Sequence, residues 1–401
     1  MRANVEDREG QAPGDVSRGL RQGLVAAGRL PPRRSGPRGG RPRLRQGVER
    51  FPASDGTLYL LRAGHGEDLA LPDLPAHQRA LLDGLDGTRG AHELVALHPH
   101  LTAKEVSATL EQLGELGLIE DAAADGDWLS AAEQQRYDRQ LEYFGELVGR
   151  GDSRAACQAR LREARVVVIG LGGLGAWALW ALAAAGVGEL VGVDGDVVEL
   201  SNFNRQTLYR ERDVGRPKAL ATARTLAEFN SAISFEAIDR RLESSEEVAA
   251  VVEGADFVVE AADWPPYRLS RWVNSCCAEA GVAHIGASQF PPLVRVGPTF
   301  VPGRAGCLAC MEEAARGRDP LFDELAAWRQ RADTLAATFA PACSLIGAIL
   351  SGDVIHHLTG LAEPATLQAS LVIDIRTLEQ RRIPVEPVPG CVVCGGSATD
   401  N

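Results

Sequence analysis

The spacing of apolar and polar residues changes along this chain, and in its first part the apolar runs are short and interrupted. The predicted elements there are strands at 57–61 and 68–71, helices at 77–85, 91–97 and from 102 onward, and a last strand at 117–120. The third helix has the clearest signal, because Val106, Leu110 and Leu113 lie at helical spacing. This order of elements is typical of a small α+β winged-helix domain, which we place at residues 51–121.

From residue 129 onward, helical and strand patterns alternate. Residues 166–169 are a continuous β-branched run, as in a strand buried within a parallel sheet. An alanine-rich stretch at 176–188 follows; it is shorter than the ~18–20 apolar residues of a membrane span and predicts a buried helix. Further strands are predicted at 190–194 and 255–261. The alternation predicts a doubly wound, Rossmann-like α/β domain, which we place at residues 122–401.

The first 50 residues differ from the rest in composition. They are rich in arginine, glycine and proline and have no apolar period, so we expect a disordered basic arm at 1–50. Such an arm is either an inert tail or a contact for an acidic partner. The formal net charge of the whole chain is −12, which argues against nucleic acid or an anionic membrane as a partner. No apolar secretory signal stands at the N-terminus, so we expect a cytoplasmic protein.

A glycine-rich loop joins the first strand of the α/β domain to the alanine-rich helix. Gly170, Gly172, Gly173 and Gly175 fit the pattern G-x-G-x-x-G. Such glycines permit a tight turn and let backbone N–H groups and the helix N-terminus approach phosphate oxygens. Asp194 ends the next strand, where an acid can hold a ribose hydroxyl. These features predict a nucleotide site and fit NAD and ATP equally well.

The residues that follow Asp194 separate the two nucleotides. Arg205 and Lys218 place positive charge beside the predicted phosphate loop. A triphosphate needs such charge when its α-phosphorus is attacked, whereas a dinucleotide oxidoreductase does not. Asp263 follows a predicted strand at the sheet edge where ligands of doubly wound folds bind, and its carboxylate can hold Mg²⁺ against phosphates. We therefore predict ATP and Mg²⁺ rather than NAD.

Four of the eight cysteines form two pairs with the spacing of a metal site. Cys307 and Cys310 make one Cys-x-x-Cys pair, and Cys391 and Cys394 make the other. Four thiolates suit a closed tetrahedral Zn²⁺ site with no open coordination position. We therefore predict a structural zinc that holds the C-terminal segment onto the middle of the domain. The alternative is four unrelated reduced thiols.

In their order along the chain, these features resemble the bacterial E1-like adenylyltransferases, the ThiF/MoeB superfamily. The matching segments are 136–140, 170–175, Asp194 with Asp196, 201–206, 215–218, Asp263 and the two Cys-x-x-Cys pairs. Ordered matches spread over the C-terminal two thirds of the chain are far more specific than any one of them. The resemblance implies an E1-type adenylation domain that uses ATP.

The resemblance also implies a role for each matching residue. The residues that it assigns to nucleotide binding are the four loop glycines, Asp194, Asp196, Asn202, Arg205, Gln206, Lys218 and Asp263. Within this set, Arg205 and Lys218 bind phosphates and Asp263 binds Mg²⁺. Arg139 acts as an arginine finger, which in this family comes from the partner subunit of a homodimer. Losing one preorganised charge of this kind raises the barrier by ~2.7–4 kcal/mol.

The identity of the substrate depends on the loop before the last helix. Superfamily members that pass their substrate to a thiol carry a cysteine there, and alignment puts Ala336 at that position. Cys343 begins the next helix and is expected to be packed, with a role as nucleophile as the alternative. Residues 262–265, 272–274 and 337–341 instead resemble the microcin C–type peptide adenylyltransferases. That group activates the C-terminus of a short ribosomal peptide and carries an N-terminal winged-helix peptide clamp.

We therefore expect an adenylyltransferase that activates the C-terminus of a ribosomally synthesised peptide in natural product tailoring. Residues 51–121 would bind the peptide by adding its strand to a sheet edge, or would serve only as a packing or dimerisation module. One alternative substrate is a ubiquitin-like sulfur-carrier protein with a C-terminal glycine. Another alternative is a non-catalytic scaffold that presents a leader peptide to a cyclodehydratase. The scaffold is disfavoured because Arg139, Lys218 and Asp263 are all present.

Overall fold

The computed structural model describes residues 40–62, 68–148, 153–331 and 337–395. The chain divides into two compact units, Met1–Ala156 and Cys157–Asn401. Most of the predicted basic arm, residues 1–39, lies outside the described residues.

The first unit combines short strands with helices. Its strands are β1 (Pro42–Leu44), β2 (Val48–Pro52), β3 (Leu58–Arg62), β4 (Leu69–Leu71) and β5 (Ile119–Asp121). Its helices are α1 (Ala76–Asp83), α2 (Ala91–Leu97), α3 (Ala103–Glu115), α4 (Ala131–Arg136) and α5 (Asp138–Leu147). Strands β2, β3 and β4 form an antiparallel sheet, and β1 pairs with β5. The predicted α+β module is therefore confirmed as an α+β unit.

Two observations differ from the expectations for this part of the chain. Residues 42–44 and 48–52 are strands, so the disorder expected up to residue 50 does not hold there. Strand β1 finds its partner β5 some 75 residues later, and a pattern search within a short window cannot detect such pairing. The contact boundary falls after Ala156 rather than after residue 121, because α5 is tied to the first strands. Arg45 donates to the carbonyl of Val148 at 2.8 Å, for example.

The second unit begins within α6 (Arg154–Glu163) and contains a large sheet. Its strands are β6 (Arg165–Ile169), β7 (Glu189–Val193), β8 (Ser234–Ile238), β9 (Phe257–Glu260), β10 (Ala283–Phe290), β11 (Leu293–Phe300), β12 (Ala369–Asp374) and β13 (Gln380–Pro384). Its further helices are α7 (Gly173–Ala185), α8 (Lys218–Phe229), α9 (Ser245–Val252), α10 (Arg268–Ala280), α11 (Leu308–Arg316), α12 (Phe322–Arg329) and α13 (Ala340–Thr359).

The strands of this sheet lie in the order β13-β12-β11-β10-β9-β6-β7-β8. Strands β10, β9, β6, β7 and β8 are parallel to one another, and β11, β12 and β13 continue the sheet as antiparallel strands. From β6 the chain proceeds to β7 and β8 on one side and later to β9 and β10 on the other. This confirms the predicted doubly wound α/β fold and makes the carboxyl end of β6 a topological switch point, where such folds bind ligands.

Helix α13 packs against α7 and against β11 in this unit. Among the described residues it is the one helix long and apolar enough to cross a membrane by length and composition, and half of its most apolar window is buried inside the fold. Asp353 explains part of its position, since its buried carboxylate accepts hydrogen bonds from Thr299 at 3.1 Å and from the backbone N–H of Thr366 at 2.9 Å. Helix α13 is therefore fixed as a core helix of the α/β unit.

Candidate functional site

The loop between β6 and α7 folds as it does because its glycines have no side chains. Gly170 has a φ of 93°, and a Cβ there would lie 2.6 Å from the backbone nitrogen of Ala262. A Cβ on Gly175 would lie 1.8 Å from the carbonyl oxygen of Gly170. Gly172 differs, since its Cβ would meet only Gln206, at 3.9 Å. The loop is thus closed beneath and open at Gly172, where the N-terminus of α7 begins.

Asp194 holds the start of this loop from the adjacent strand end. Its Oδ2 accepts a hydrogen bond from the N–H of Leu171 at 2.8 Å, and its Oδ1 accepts one from the N–H of Asp196 at 2.9 Å. Burial raises the pKa of Asp194, against an opposing attraction from Lys218. The carbonyl of Leu171 accepts a hydrogen bond from the buried hydroxyl of Tyr209 at 2.8 Å. Motif reasoning did not identify Tyr209, since a tyrosine in a loop carries no recognisable pattern.

Asp196 is bound by two cations at the same edge of the sheet. Its Oδ2 lies 3.0 Å from Nζ of Lys218, and its Oδ1 accepts a hydrogen bond from Arg241 at 2.7 Å. Burial opposes ionisation of Asp196, but the hydrogen bonds from Arg241 and Lys218 win and lower its pKa. Arg241 also lies over the ring of Trp264, 5.4 Å from its centre. Arg241 follows β8 without any motif of its own, so only the structure brings it to the site.

The segment 201–206 contributes residues on the other side of the loop. Arg205 donates to the carbonyl of Ser201 at 2.9 Å, and its side-chain carbons lie 3.5 Å from a Cβ built on Gly173. Asn202 is buried and its Oδ1 accepts from the N–H of Glu199 at 3.0 Å. Gln206 is also buried, and its Oε1 has no hydrogen-bond partner among the described residues. Buried polar atoms are nearly always paired, so the Oε1 of Gln206 is a candidate acceptor for a polar ligand at the loop.

Asp263 follows β9 at the same edge. The two residues before it, Ala261 and Ala262, pack against the backbone of Gly170. Its side chain is exposed and forms no hydrogen bond or ion pair within the described ranges. A carboxylate without a partner, next to a glycine loop at a helix N-terminus, has the chemistry of a ligand for a hard divalent cation.

The remaining predicted catalytic residue, Arg139, lies in the first unit on α5. Its side chain is 84% exposed and donates to Glu142 at 2.8 Å. The second unit brings the other predicted nucleotide residues together around the carboxyl ends of β6, β7 and β9. Arg139 is not part of the unit that holds these residues. This is compatible with the expectation that it acts from the partner subunit of a homodimer.

The four predicted metal-site cysteines also converge. Their sulfur atoms all lie within 4.8 Å of one another. Cys307 is 3.9 Å from Cys310 and 3.7 Å from Cys391, and Cys310 is 3.5 Å from Cys394. Four sulfurs placed ~2.3 Å from a tetrahedral Zn²⁺ are about 3.8 Å apart, so the cluster has the dimensions of a structural zinc site. The prediction that the two pairs meet is confirmed.

Cys343 is fully buried, as expected for a packed residue. Its sulfur lies 3.0 Å from Oγ1 of Thr338 and accepts a hydrogen bond from Gln289 at 3.3 Å. A Cβ built on Gly173 would be 2.8 Å from this sulfur, so Cys343 supports the glycine loop from below. Ala336, aligned with the loop cysteine of the sulfur-carrier enzymes, lies outside the described residues.

Comparisons with known proteins agree with this geometry. The ThiF family matches residues 137–393. Molybdopterin-synthase adenylyltransferase of Escherichia coli (strain K12) is 30% identical over 268 residues, which are 67% of this chain and 98% of that protein. Sulfur carrier protein ThiS adenylyltransferase of the same strain is 30% identical over 243 residues, 61% of this chain and 90% of that protein.

Among solved structures, E. coli MccB with AMPCPP and MccA is similar with a TM-score of 0.68 and 26% identity. The match covers 88% of this chain and 99% of MccB. A second MccB structure, of the microcin C7 biosynthetic enzyme in complex with N-formylated MccA, matches with a TM-score of 0.69 and 25% identity. The part of the chain outside this match is much shorter than the first unit. The similarity therefore includes most of both units.

Proposed function

The chain belongs to the ThiF family and is an adenylyltransferase, and we propose that it transfers AMP from ATP to the C-terminus of a ribosomally synthesised peptide. The observation that carries this proposal is the similarity to MccB, because it extends over most of the first unit. The molybdopterin-synthase and ThiS enzymes match 67% and 61% of this chain. MccB is named the microcin C7 biosynthetic enzyme and its structure contains N-formylated MccA, which fits a peptide as the substrate.

The glycine loop and its neighbours provide a fitting site for ATP. Phosphate oxygens fit at the open position of Gly172, where the N-terminus of α7 can donate backbone hydrogen bonds to them. The carboxylate of Asp194 accepts a hydrogen bond from the ribose. Arg205 and Lys218 stabilise the negative charge that develops at the α-phosphorus. Asp263 is free to hold Mg²⁺, which when bound supplies charge neutralisation at the phosphates.

The first unit supports a peptide as the substrate. Its sheet consists of β2, β3 and β4, and β2 and β4 each pair only with β3 in the described part of the chain. Residues 49–52 of β2 are exposed. An extended leader peptide would add a strand to such an edge through main-chain hydrogen bonds. These observations support our proposal that the module at residues 51–121, extended by β1 and β2, recognises the peptide.

The four-cysteine cluster would hold a structural Zn²⁺. The sulfur positions fit the ion, and two of the four cysteines, Cys307 and Cys310, are buried. We expect one zinc per chain by elemental analysis. Cys391→Ser should lose the metal and lower the melting temperature, whereas Cys276→Ser, a buried cysteine outside the cluster, should retain the metal.

The test is adenylation of a peptide by the purified chain. Incubation with ATP, Mg²⁺ and the peptide encoded by a short reading frame beside the gene should release pyrophosphate and add the mass of AMP to the peptide. Asp263→Asn should greatly reduce both products. If neither product forms with the wild-type enzyme, the peptide proposal is wrong.

A sulfur-carrier protein is the second candidate substrate, because one relative is named the sulfur carrier protein ThiS adenylyltransferase. A small carrier ending in Gly-Gly should then support ATP–pyrophosphate exchange under the same conditions. Exchange with the carrier and none with the peptide would favour this second candidate.

A further inference from the structure

Part of a polar cluster beside the end of β9 lacks hydrogen-bond partners. Ser288 on β10 and Arg295 on β11 lie directly opposite each other in antiparallel register. The Oγ of Ser288 and the Nε of Arg295 are buried from solvent, yet neither has a hydrogen-bond partner among the described residues. Buried polar atoms are nearly always paired, so two unpaired atoms on facing residues require an explanation.

Glu260, the last residue of β9, belongs to the same cluster. Its Oε1 accepts a hydrogen bond from Ser270. Burial raises the pKa of Glu260 to about 7, although Ser270 and the charge of Arg295 both act to lower it. Within the described residues no ion pair joins Glu260 to Arg295. Near neutral pH, Glu260 is therefore a partly protonated acid beside a cation that it does not bind.

The electrostatic balance of this cluster favours an anion. Burial lowers the pKa of Arg295, while Tyr267 and Glu260 oppose that effect. A second arginine lies close by, since Arg329 of α12 donates to the hydroxyl of Tyr267 at 3.3 Å. A largely buried guanidinium without an ion pair is costly, and a ligand carboxylate is the planar partner that it matches best.

The cluster lies next to the nucleotide site. Glu260 precedes Asp263 by three residues, and the intervening backbone at 261–262 packs on Gly170. Ser288, Arg295 and Glu260 are each partly exposed, so the cluster lies at the surface, although the Ser288 Oγ and the Arg295 Nε are themselves covered. The cluster and the glycine loop therefore both lie at the carboxyl end of β9.

We propose that Arg295, Ser288 and Glu260 form a carboxylate-binding subsite for the acyl substrate. Arg295 and the Ser288 hydroxyl donate hydrogen bonds to the ligand carboxylate, and protonated Glu260 donates a third. The carboxylate belongs either to the C-terminus of the substrate or to an acidic side chain near it. This inference rests on the proposed function, since it assumes a peptide that reaches the end of β9.

Binding of defined peptides to the full-length protein tests the subsite. The probes are an N-acetylated alanine pentapeptide with a C-terminal amide, the same peptide with a free carboxylate, and an amidated version that ends in glutamate. Calorimetry in the presence of a non-hydrolysable ATP analogue should show that one or both carboxylate peptides bind about tenfold tighter than the neutral peptide. The free-carboxylate and glutamate probes separate the two sources of the group.

Substitutions then assign the preference to Arg295. Arg295→Met should reduce the preference to about twofold or less, and Arg295→Lys should restore part of it. Arg295→Met should also keep or raise the melting temperature, because it removes a buried cation that no residue satisfies. A structural arginine would behave in the opposite way. Arg381→Met is the matched control, since Arg381 lies in the same row of the sheet on β13 but is exposed.

The outcomes distinguish this inference from the proposed function. Equal binding of the three peptides, no binding of any of them, or a preference that persists in Arg295→Met overturns the subsite. If AMP is still transferred to the neighbouring-gene peptide in those cases, the proposed function stands without it. An intact preference together with no AMP transfer to any peptide would leave the subsite in place and overturn the proposed function.

Discussion

At the scale of single residues, Lys218 is a buried charge at the nucleotide site whose removal should strongly reduce AMP transfer. Its Nζ lies 3.0 Å from Asp196 and its side chain is buried, so its charge is held at the edge of the glycine loop. We expect Lys218→Ala to lower kcat for AMP transfer by roughly 10²–10³, as loss of one preorganised charge does elsewhere. Steady-state release of pyrophosphate measures the effect.

Lys104 provides the control for this prediction, because it is the one other lysine of the chain. It lies in the first turn of α3 and is exposed. Lys104→Ala should leave kcat within about twofold of the wild type, as expected for a surface position. Similar losses in both variants would show that Lys218 has no special part in the reaction.

Glu260 makes the stability of the protein depend on pH. Its pKa is about 7 in the folded protein and lower in the unfolded chain, so between these values the folded state binds the proton more tightly. The stability that protonated Glu260 contributes is therefore lost as pH rises from about 4.5 to about 7. The loss amounts to at most about 3 kcal/mol, since each pKa unit is worth about 1.4 kcal/mol.

Glu260→Gln should remove this part of the pH dependence. Urea unfolding of the variant between pH 5 and pH 7.5 should give a flatter profile than that of the wild type. Glu253→Gln, at an exposed position after α9, should leave the slope unchanged. A wild-type slope in Glu260→Gln would mean that this carboxyl titrates in its ordinary range.

At the scale of elements, two glycines in the loop between β6 and α7 should have different roles. Gly175 should matter for stability, and Gly172 should matter for ATP binding. Gly175→Ala places a Cβ 1.8 Å from the carbonyl of Gly170, so the loop must shift and the protein should lose about 1–3 kcal/mol of stability. Gly172→Ala makes only an ordinary van der Waals contact with Gln206, at 3.9 Å, and should leave stability within about 0.5 kcal/mol. It should nonetheless weaken ATP binding at least about tenfold, because that glycine lets phosphate approach the backbone.

Thermal unfolding and ATP titration of the two variants measure these effects. The comparison is internally controlled, since both variants add the same methyl group to the same loop. A stable Gly175→Ala, or a Gly172→Ala with wild-type ATP affinity, would contradict the assigned roles of the two glycines.

Elements with local signals were predictable from sequence, and elements that depend on distant partners were not. The glycine loop, strand β6 and helix α3 with its apolar positions Val106, Leu110 and Leu113 each rest on residues a few positions apart, and the structure contains all three. Strand β1 depends on β5, so its signal is absent from the surrounding sequence. Arg241 depends on the loop after β8 reaching Asp196, which no spacing along the chain encodes.

The same limit applies to the cluster at the end of β9. Glu260, Ser288 and Arg295 lie on three neighbouring strands, and only the sheet register brings them together. Their residue types are ordinary for strands read one at a time. The cysteines were the exception. Two Cys-x-x-Cys pairs predict a shared metal site however far apart they lie along the chain.

At the scale of the whole molecule, the proposed role of Arg139 requires two copies of the chain. Arg139 is exposed on α5 in the first unit, and its charge faces only Asp138 and Glu142 in the described structure. We expect Arg139→Ala and Lys218→Ala each to be nearly inactive alone. If Arg139 acts across a homodimer, mixing equal amounts should restore activity to about a quarter of the wild type, because half of the dimers are mixed and each has one complete site.

The mixing experiment also tests the competing arrangement, in which Arg139 acts within its own chain. If Arg139 acted within its own chain, every Lys218-containing site would lack Arg139 and no mixture would regain activity. Titrating one variant against a fixed amount of the other should raise the restored activity towards a plateau, because the fixed variant limits the number of mixed dimers. Light scattering on the same samples reports whether a dimer is present. A monomer with full activity would show that neither the homodimer nor an arginine finger supplied by a partner subunit applies to this chain.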